Sequence, residues 1–81
     1  VSSALHEDLT IEDGRFAVDN FDGYTLLRER DMPEVEVVLL EGDDEPHGVG
    51  EPPLGPVAAA IANAVVDAGG QRMRRLPLRP A

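Results

Sequence analysis

Apolar positions in the first 40 residues follow the two-residue period of extended chain more closely than a helical period. Leu5, Leu9 and Ile11 fall on one face of an extended segment. Asp13-Gly14 comes next, a two-residue turn signal, because both central positions of a tight hairpin turn need positive φ. Phe16 and Val18 then alternate with Arg15 and Ala17, which predicts a hairpin over residues 4–18. Asp19 to Gly23 reads as a turn-rich link that carries Phe21, and Tyr24 to Leu27 as a short extended piece. Pro33 punctuates the chain before a third strand, Val35 to Leu40. That stretch alternates only weakly, as expected of a strand covered on both faces for part of its length. Residues 41–53 are rich in acids, glycine and proline and read as a loop. A helix is predicted from about Gly55 to Ala68. Pro56 sits in its first turn, where a missing N–H costs nothing, and Gly69-Gly70 stops it. Val57, Ile61, Ala64, Val65 and Ala68 form one stripe, and only Asn63 and Asp67 interrupt the opposite face. A helix apolar nearly all round needs cover on all sides. The tail, 71–81, reads as extended and basic, with Met73 and Leu76 as apolar anchors.

These elements give an α+β class: a small antiparallel sheet of hairpin plus third strand, one apolar helix packed on it, and an extended tail. With 81 residues the chain allows one domain at most. Three aromatics leave the core to Val, Leu, Ile and Ala. A core of this size rarely supplies more than about 3–5 kcal/mol, and the chain has no cysteine to staple it. The apolar helix therefore predicts that the chain belongs inside something larger, and that in isolation it self-associates or packs loosely.

Charge narrows the partners. The net charge is −9, and all seven bases are arginine. Residues 1–51 carry nearly all the acids, whereas the last 30 residues hold Asp67 against Arg72, Arg74, Arg75 and Arg79. An acidic field repels polyanions, which argues against nucleic acid and against anionic membrane surfaces. No apolar run approaches the roughly 20 residues that span a bilayer. Val1-Ser2-Ser3 lacks the basic and apolar start of a signal peptide, so a cytoplasmic location is expected.

The candidate chemistry centres on Glu51, in Gly48-Val49-Gly50-Glu51-Pro52-Pro53-Leu54-Gly55-Pro56. Pro52 restricts Glu51 to extended conformations, and Pro53 restricts Pro52 in turn. The carboxylate thus stands on a stiff arm just before a helix, which is what a positioned catalytic group requires. The same residues also suit a plain loop with an N-terminal charge partner for the helix. Asp43-Asp44-Glu45 with His47 offers oxygen and nitrogen donors, but the spacing matches no EF-hand loop and reads as a solvated charge run. His6, beside Glu7 and Asp8, reads as an exposed strand residue. Asn63 and Asp67 suit hydrogen bonds to neighbouring segments. The tail arginines suit pairing with the acidic half. No residue is assigned to a metal.

The run from Gly48 to Ala64, Gly-Val-Gly-Glu-Pro-Pro-Leu-Gly-Pro-Val-Ala-Ala-Ala-Ile-Ala-Asn-Ala, resembles the C-terminal end of the molybdenum-binding large subunit of the xanthine oxidase family. It is most similar to the aldehyde dehydrogenase and isoquinoline 1-oxidoreductase beta-subunit branch. Asn20-Phe21-Asp22-Gly23-Tyr24, Leu26-Leu27-Arg28, Met32-Pro33-Glu34-Val35-Glu36-Val37 and Arg72-Met73-Arg74-Arg75-Leu76-Pro77-Leu78 resemble the same subunits, in the same order. The resemblance implies an oxidoreductase acting on aldehydes or N-heterocycles at a molybdenum–molybdopterin centre. Glu51 matches the general base, which takes a proton from a metal-bound hydroxyl, and Gly50 matches the residue beside it, near the cofactor. Family subunits are many times longer, and their pterin-binding and substrate-pocket segments have no counterpart here. The implied partners are therefore the remainder of the molybdenum-binding subunit and electron-transfer subunits, with iron–sulfur and flavin groups on other domains. The chain alone is expected to be inactive, as an excised piece, a truncated product or a separately encoded segment. A small acidic, non-catalytic module docking through its apolar helix is the alternative reading.

Overall fold

The computed structural model describes residues 1–80. Its regular elements are helix α1 (Ser2–Leu5), strands β1 (Ile11–Glu12) and β2 (Arg15–Phe16), and helix α2 (Leu54–Asp67). Two 3₁₀ turns, Phe21–Gly23 and Glu29–Asp31, lie between the hairpin and α2. The class is α+β, as the patterning predicts.

The hairpin forms where Asp13-Gly14 places it. Both residues take positive φ, 50° and 75°, as the two-residue turn demands. Ile11 faces Phe16 and Glu12 faces Arg15 across an antiparallel pair, and Ala17 N–H donates to Thr10 O at 2.9 Å. Two short strands bury little, and both Ile11 and Phe16 stay exposed.

Helix α2 ends as its glycines dictate. Gly69 adopts φ 89°. Its N–H donates to Val66 O at 2.9 Å, and Gly70 N–H donates to Val65 O at 2.8 Å. These are the two bonds of a Schellman cap.

Three expectations are corrected. Val35 to Leu40 forms no strand: among the described residues it has no pairing partner, and the sheet has two strands. The segment around Leu5 is helical, not extended, so His6 ends a helix and is half-buried instead of lying on an exposed strand. Helix α2 does not pack on the hairpin; it packs on the tail. There the anchor is Leu78, buried, whereas Leu76 is largely exposed.

The buried centre is Ala4, Ala62 and Leu78. Leu78 N–H donates to Ala4 O at 2.7 Å, and its side chain shares a hollow with Ala58, Ala59 and Ala62 of α2. Ser2 Oγ accepts from Leu27 N–H at 3.0 Å. Glu7 accepts from Ser3 Oγ at 2.8 Å and from Tyr24 Oη at 3.2 Å. Asp8 and Arg79 form an exposed ion pair at 3.7 Å, which contributes little. Helix α1 thus joins residues 24–27 to the tail.

This centre is too small to close the molecule. The accessible surface is 7644 Å², against about 4,700 Å² expected for a compact monomer of this mass. The radius of gyration is 16.3 Å, against about 12 Å for a compact chain of this length. From Pro33 to Pro53 no backbone N–H donates to a carbonyl among the described residues. No helix among the described residues is long and apolar enough to cross a membrane.

The cluster at Glu7 has a pH signature. The Ser3 hydroxyl, and then those of Ser2 and Tyr24, hold the Glu7 carboxyl below its usual range, partly against burial. A depressed carboxylate stabilises the fold above its unfolded pKa, and that support is lost as pH falls through the folded value. Burial, and then the charge of Glu7, push the Tyr24 phenol up. Tyr24 is the chain's one tyrosine, so phenolate absorbance should show a midpoint above the usual tyrosine range, and Glu7→Gln should lower it. A midpoint indifferent to that substitution would remove the cluster. Gly69→Ala should cost about 1 kcal/mol through the left-handed backbone, read as reduced helical ellipticity at 222 nm. Unchanged ellipticity would contradict the cap.

Candidate functional site

The chain turns into α2 through Glu51-Pro52-Pro53-Leu54. Neither proline can donate a backbone hydrogen bond. Leu54 N–H donates to Glu51 O at 2.9 Å, and Val57 N–H donates to Pro53 O at 3.3 Å. Pro53 sits at the N-cap with φ −74° and ψ −13°, and no side chain caps the helix. The Glu51 carbonyl is therefore fixed by the turn, while its carboxylate is not. The carboxylate is exposed. No hydrogen bond or ion pair holds it among the described residues. It stands three residues before the first residue of α2, near the positive end of the helix.

Gly48 and Gly50 precede this turn without a left-handed φ. A Cβ at either position would meet nothing within 4 Å. Nothing packed against these glycines inside the chain accounts for them.

The other sequence candidates separate. Asp43, Asp44, Glu45 and His47 do not converge, because no group of three or more potential ligands lies together among the described residues. Asn63 accepts from Arg72 Nη1, the bridge between α2 and the tail that its helical position suggests. Arg79 pairs with Asp8, so part of the basic tail meets the acidic half. A hollow of about 360 Å³ opens along the tail, lined among others by Asp8, Arg72, Arg74, Arg75 and Arg79. Neither Glu51 nor Gly50 lines it.

Pattern reading misses the Ser2, Glu7 and Tyr24 cluster and the buried Leu78. The four-residue spacing of Ser3 and Glu7, one helical turn, is a local signal for the first. Nothing local separates Leu78 from Leu76.

Glu51 and Gly50 are thus neighbours on a clamped turn, but they form no enclosed site. The described residues hold one exposed carboxylate on a fixed backbone turn and no cluster of three or more metal-ligating side chains.

The chain's relatives are large redox subunits. It is 40% identical over 81 residues, its full length, to the membrane-bound aldehyde dehydrogenase (pyrroloquinoline-quinone) of Gluconacetobacter polyoxogenes, of which it covers 10%. It is 38% identical over its full length to isoquinoline 1-oxidoreductase subunit beta of Brevundimonas diminuta, again covering 10%. It is 38% identical, over 96% of its length, to the aldehyde oxidoreductase molybdenum-binding subunit of Escherichia coli, covering 12%. The chain therefore spans about a tenth of the length of these relatives. No family model matches it, and no solved structure does. With this identity along its whole length, the chain is homologous to part of the molybdenum-binding subunits of aldehyde and N-heterocycle oxidoreductases, which matches the xanthine oxidase family.

Proposed function

We propose that this chain is the catalytic-base segment of a molybdenum hydroxylase, with Glu51 as the proton acceptor and Gly50 beside the cofactor. One observation carries the reading: Glu51 is clamped through its carbonyl while its carboxylate has no hydrogen-bond or ion-pair partner among the described residues. A carboxylate placed only to balance the helix end needs no double-proline arm. A general base does need one, because its contribution depends on fixed geometry toward the proton it removes.

The residues present do not fit a complete cofactor site. Among the described residues no three metal-ligating side chains lie together, and Glu51 does not line the hollow along the tail. A molybdenum–pterin centre, when bound, supplies the redox chemistry, and the remainder of the subunit holds it. This chain supplies the proton acceptor and the glycine-lined approach of residues 48–50, where the absence of a Cβ leaves room for a neighbouring group. Substrates are aldehydes or electron-poor N-heterocycles. Electron-transfer partners, with iron–sulfur and flavin groups, lie on other domains or subunits, and the chain alone turns nothing over.

The test is a chimera: the Escherichia coli aldehyde oxidoreductase subunit with its homologous segment replaced by this chain, co-expressed with its natural partners. Glu51→Gln should lower aldehyde turnover by about 10²–10⁴-fold while bound molybdenum stays near the parent level. Loss of metal with the same substitution would make the side chain structural. Full turnover by the variant would end the proposal. Assaying quinone beside molybdenum also decides the cofactor, since one relative is described with pyrroloquinoline quinone.

A further inference from the structure

The segment between Met32 and Leu54 is anomalous for a connection. It has no regular secondary structure across 21 residues, whereas structureless loops longer than about 12–15 residues are uncommon inside compact domains. Its backbone N–H groups have no carbonyl partner among the described residues. Its centre is the most apolar sequence of the first half, yet Leu39 is 88% and Leu40 90% exposed, and Val35, Val37 and Val38 are bare as well. Water satisfies the amides but not the apolar side chains.

We infer that Val35–Leu40 is an internal β-strand of the larger subunit, hydrogen-bonded to strand edges that the remaining nine-tenths of that subunit contribute. The inference rests on the family reading and deepens it by naming where the missing part attaches. Three observations identify the occupant. First, the run is apolar on one face, Val35, Val37 and Leu39, and beyond Glu36 on the other, Val38 and Leu40, and strands apolar on both faces lie within covered sheets. Second, the chain exposes roughly 2,900 Å² more than a compact monomer of its mass would. That excess is on the scale of obligate interfaces, about 2,000–5,000 Å², so a small ligand or a transient contact would leave most of it bare. Third, charge disfavours a second copy. Residues 34–45 carry Glu34, Glu36, Glu41, Asp43, Asp44 and Glu45 with no base, and pairing two copies through this strand would set those carboxylates against each other. A different polypeptide edge avoids the conflict and satisfies both backbone and side chains, as in strand addition to an open sheet.

The strand also bears on Glu51. It ends 11 residues before that carboxylate, so docking it anchors one end of the loop while α2 anchors the other.

Hydrogen exchange in the same chimera tests this separately from catalysis. Amides of Val35–Leu40 should exchange roughly 100-fold or more slowly in the chimera than in the free chain, and Glu51→Gln should leave that protection intact. Rapid exchange at these residues in a soluble, metal-loaded chimera would overturn the inference while leaving the catalytic proposal standing. Slow exchange with full activity of the Glu51→Gln variant would do the reverse. Protection that rises with concentration in the free chain would make a second copy the occupant, against the inference. Failure of the chimera to accumulate in soluble form also counts against it, because a strand that completes the sheet of a relative must be accommodated there.

Discussion

Leu78 ties the ends of the chain together. Its N–H binds the carbonyl of Ala4, and its side chain lies buried against the alanine face of α2. Fully burying one leucine is worth about 1.5–3 kcal/mol, and the alanines around it add little because they have little apolar surface to hide. Everything ordered by this contact is local to it: α1, the tail, and the first half of α2. The hairpin hangs outside, and the span from Pro33 to Pro53 joins α2 through the bonds that Glu51 O and Pro53 O accept from Leu54 and Val57 N–H. An acidic chain with so few bulky apolar residues near its centre has no means of drawing that span inward.

The candidate site sits at the border between helix α2 and the span without regular secondary structure. α2 is well defined up to its first turn, and the Glu51 carbonyl belongs to that turn. The carboxylate and the glycines before it belong to the other side, where a Cβ at Gly48 or Gly50 would meet none of the described residues within 4 Å. The arm is therefore preorganised at one end only. Its rigidity comes from proline stereochemistry and one hydrogen bond, which the chain carries itself. On the proposed reading its surroundings, including whatever sets the proton affinity of the carboxylate, come from the remainder of the subunit. A site divided in this way fits the family membership, since the chain spans about a tenth of the relatives it matches.

What could be read from the residues follows the range of the forces involved. Asp13-Gly14 and Gly69-Gly70 are local conformational requirements, and both act where they stand. Helix α2 is nearly as local, and its bounds fall within a residue of the pattern. The apolar run at Val35–Leu40 is equally visible, but a strand is a relationship between two segments, and pattern names only one of them. Helix α1 shows the converse case. Four residues cannot hold a helix by propensity, so Ser2–Leu5 depends on closure by residues 27 and 78, which no local window contains. Glu51 was legible as a stiffened carboxylate from its prolines; its assignment as a base came from the resemblance, and the geometry adds the free side chain and the fixed carbonyl.

Central to all of this is the proposal that a larger subunit completes the chain. Small-angle X-ray scattering of the monomeric chain at low concentration addresses that point most directly. A radius of gyration near or above the 16.3 Å of the structure is the expected result. A value near 12 Å, the size of a self-contained domain of this length, would mean that the chain covers its own apolar surface and needs no larger subunit to do so.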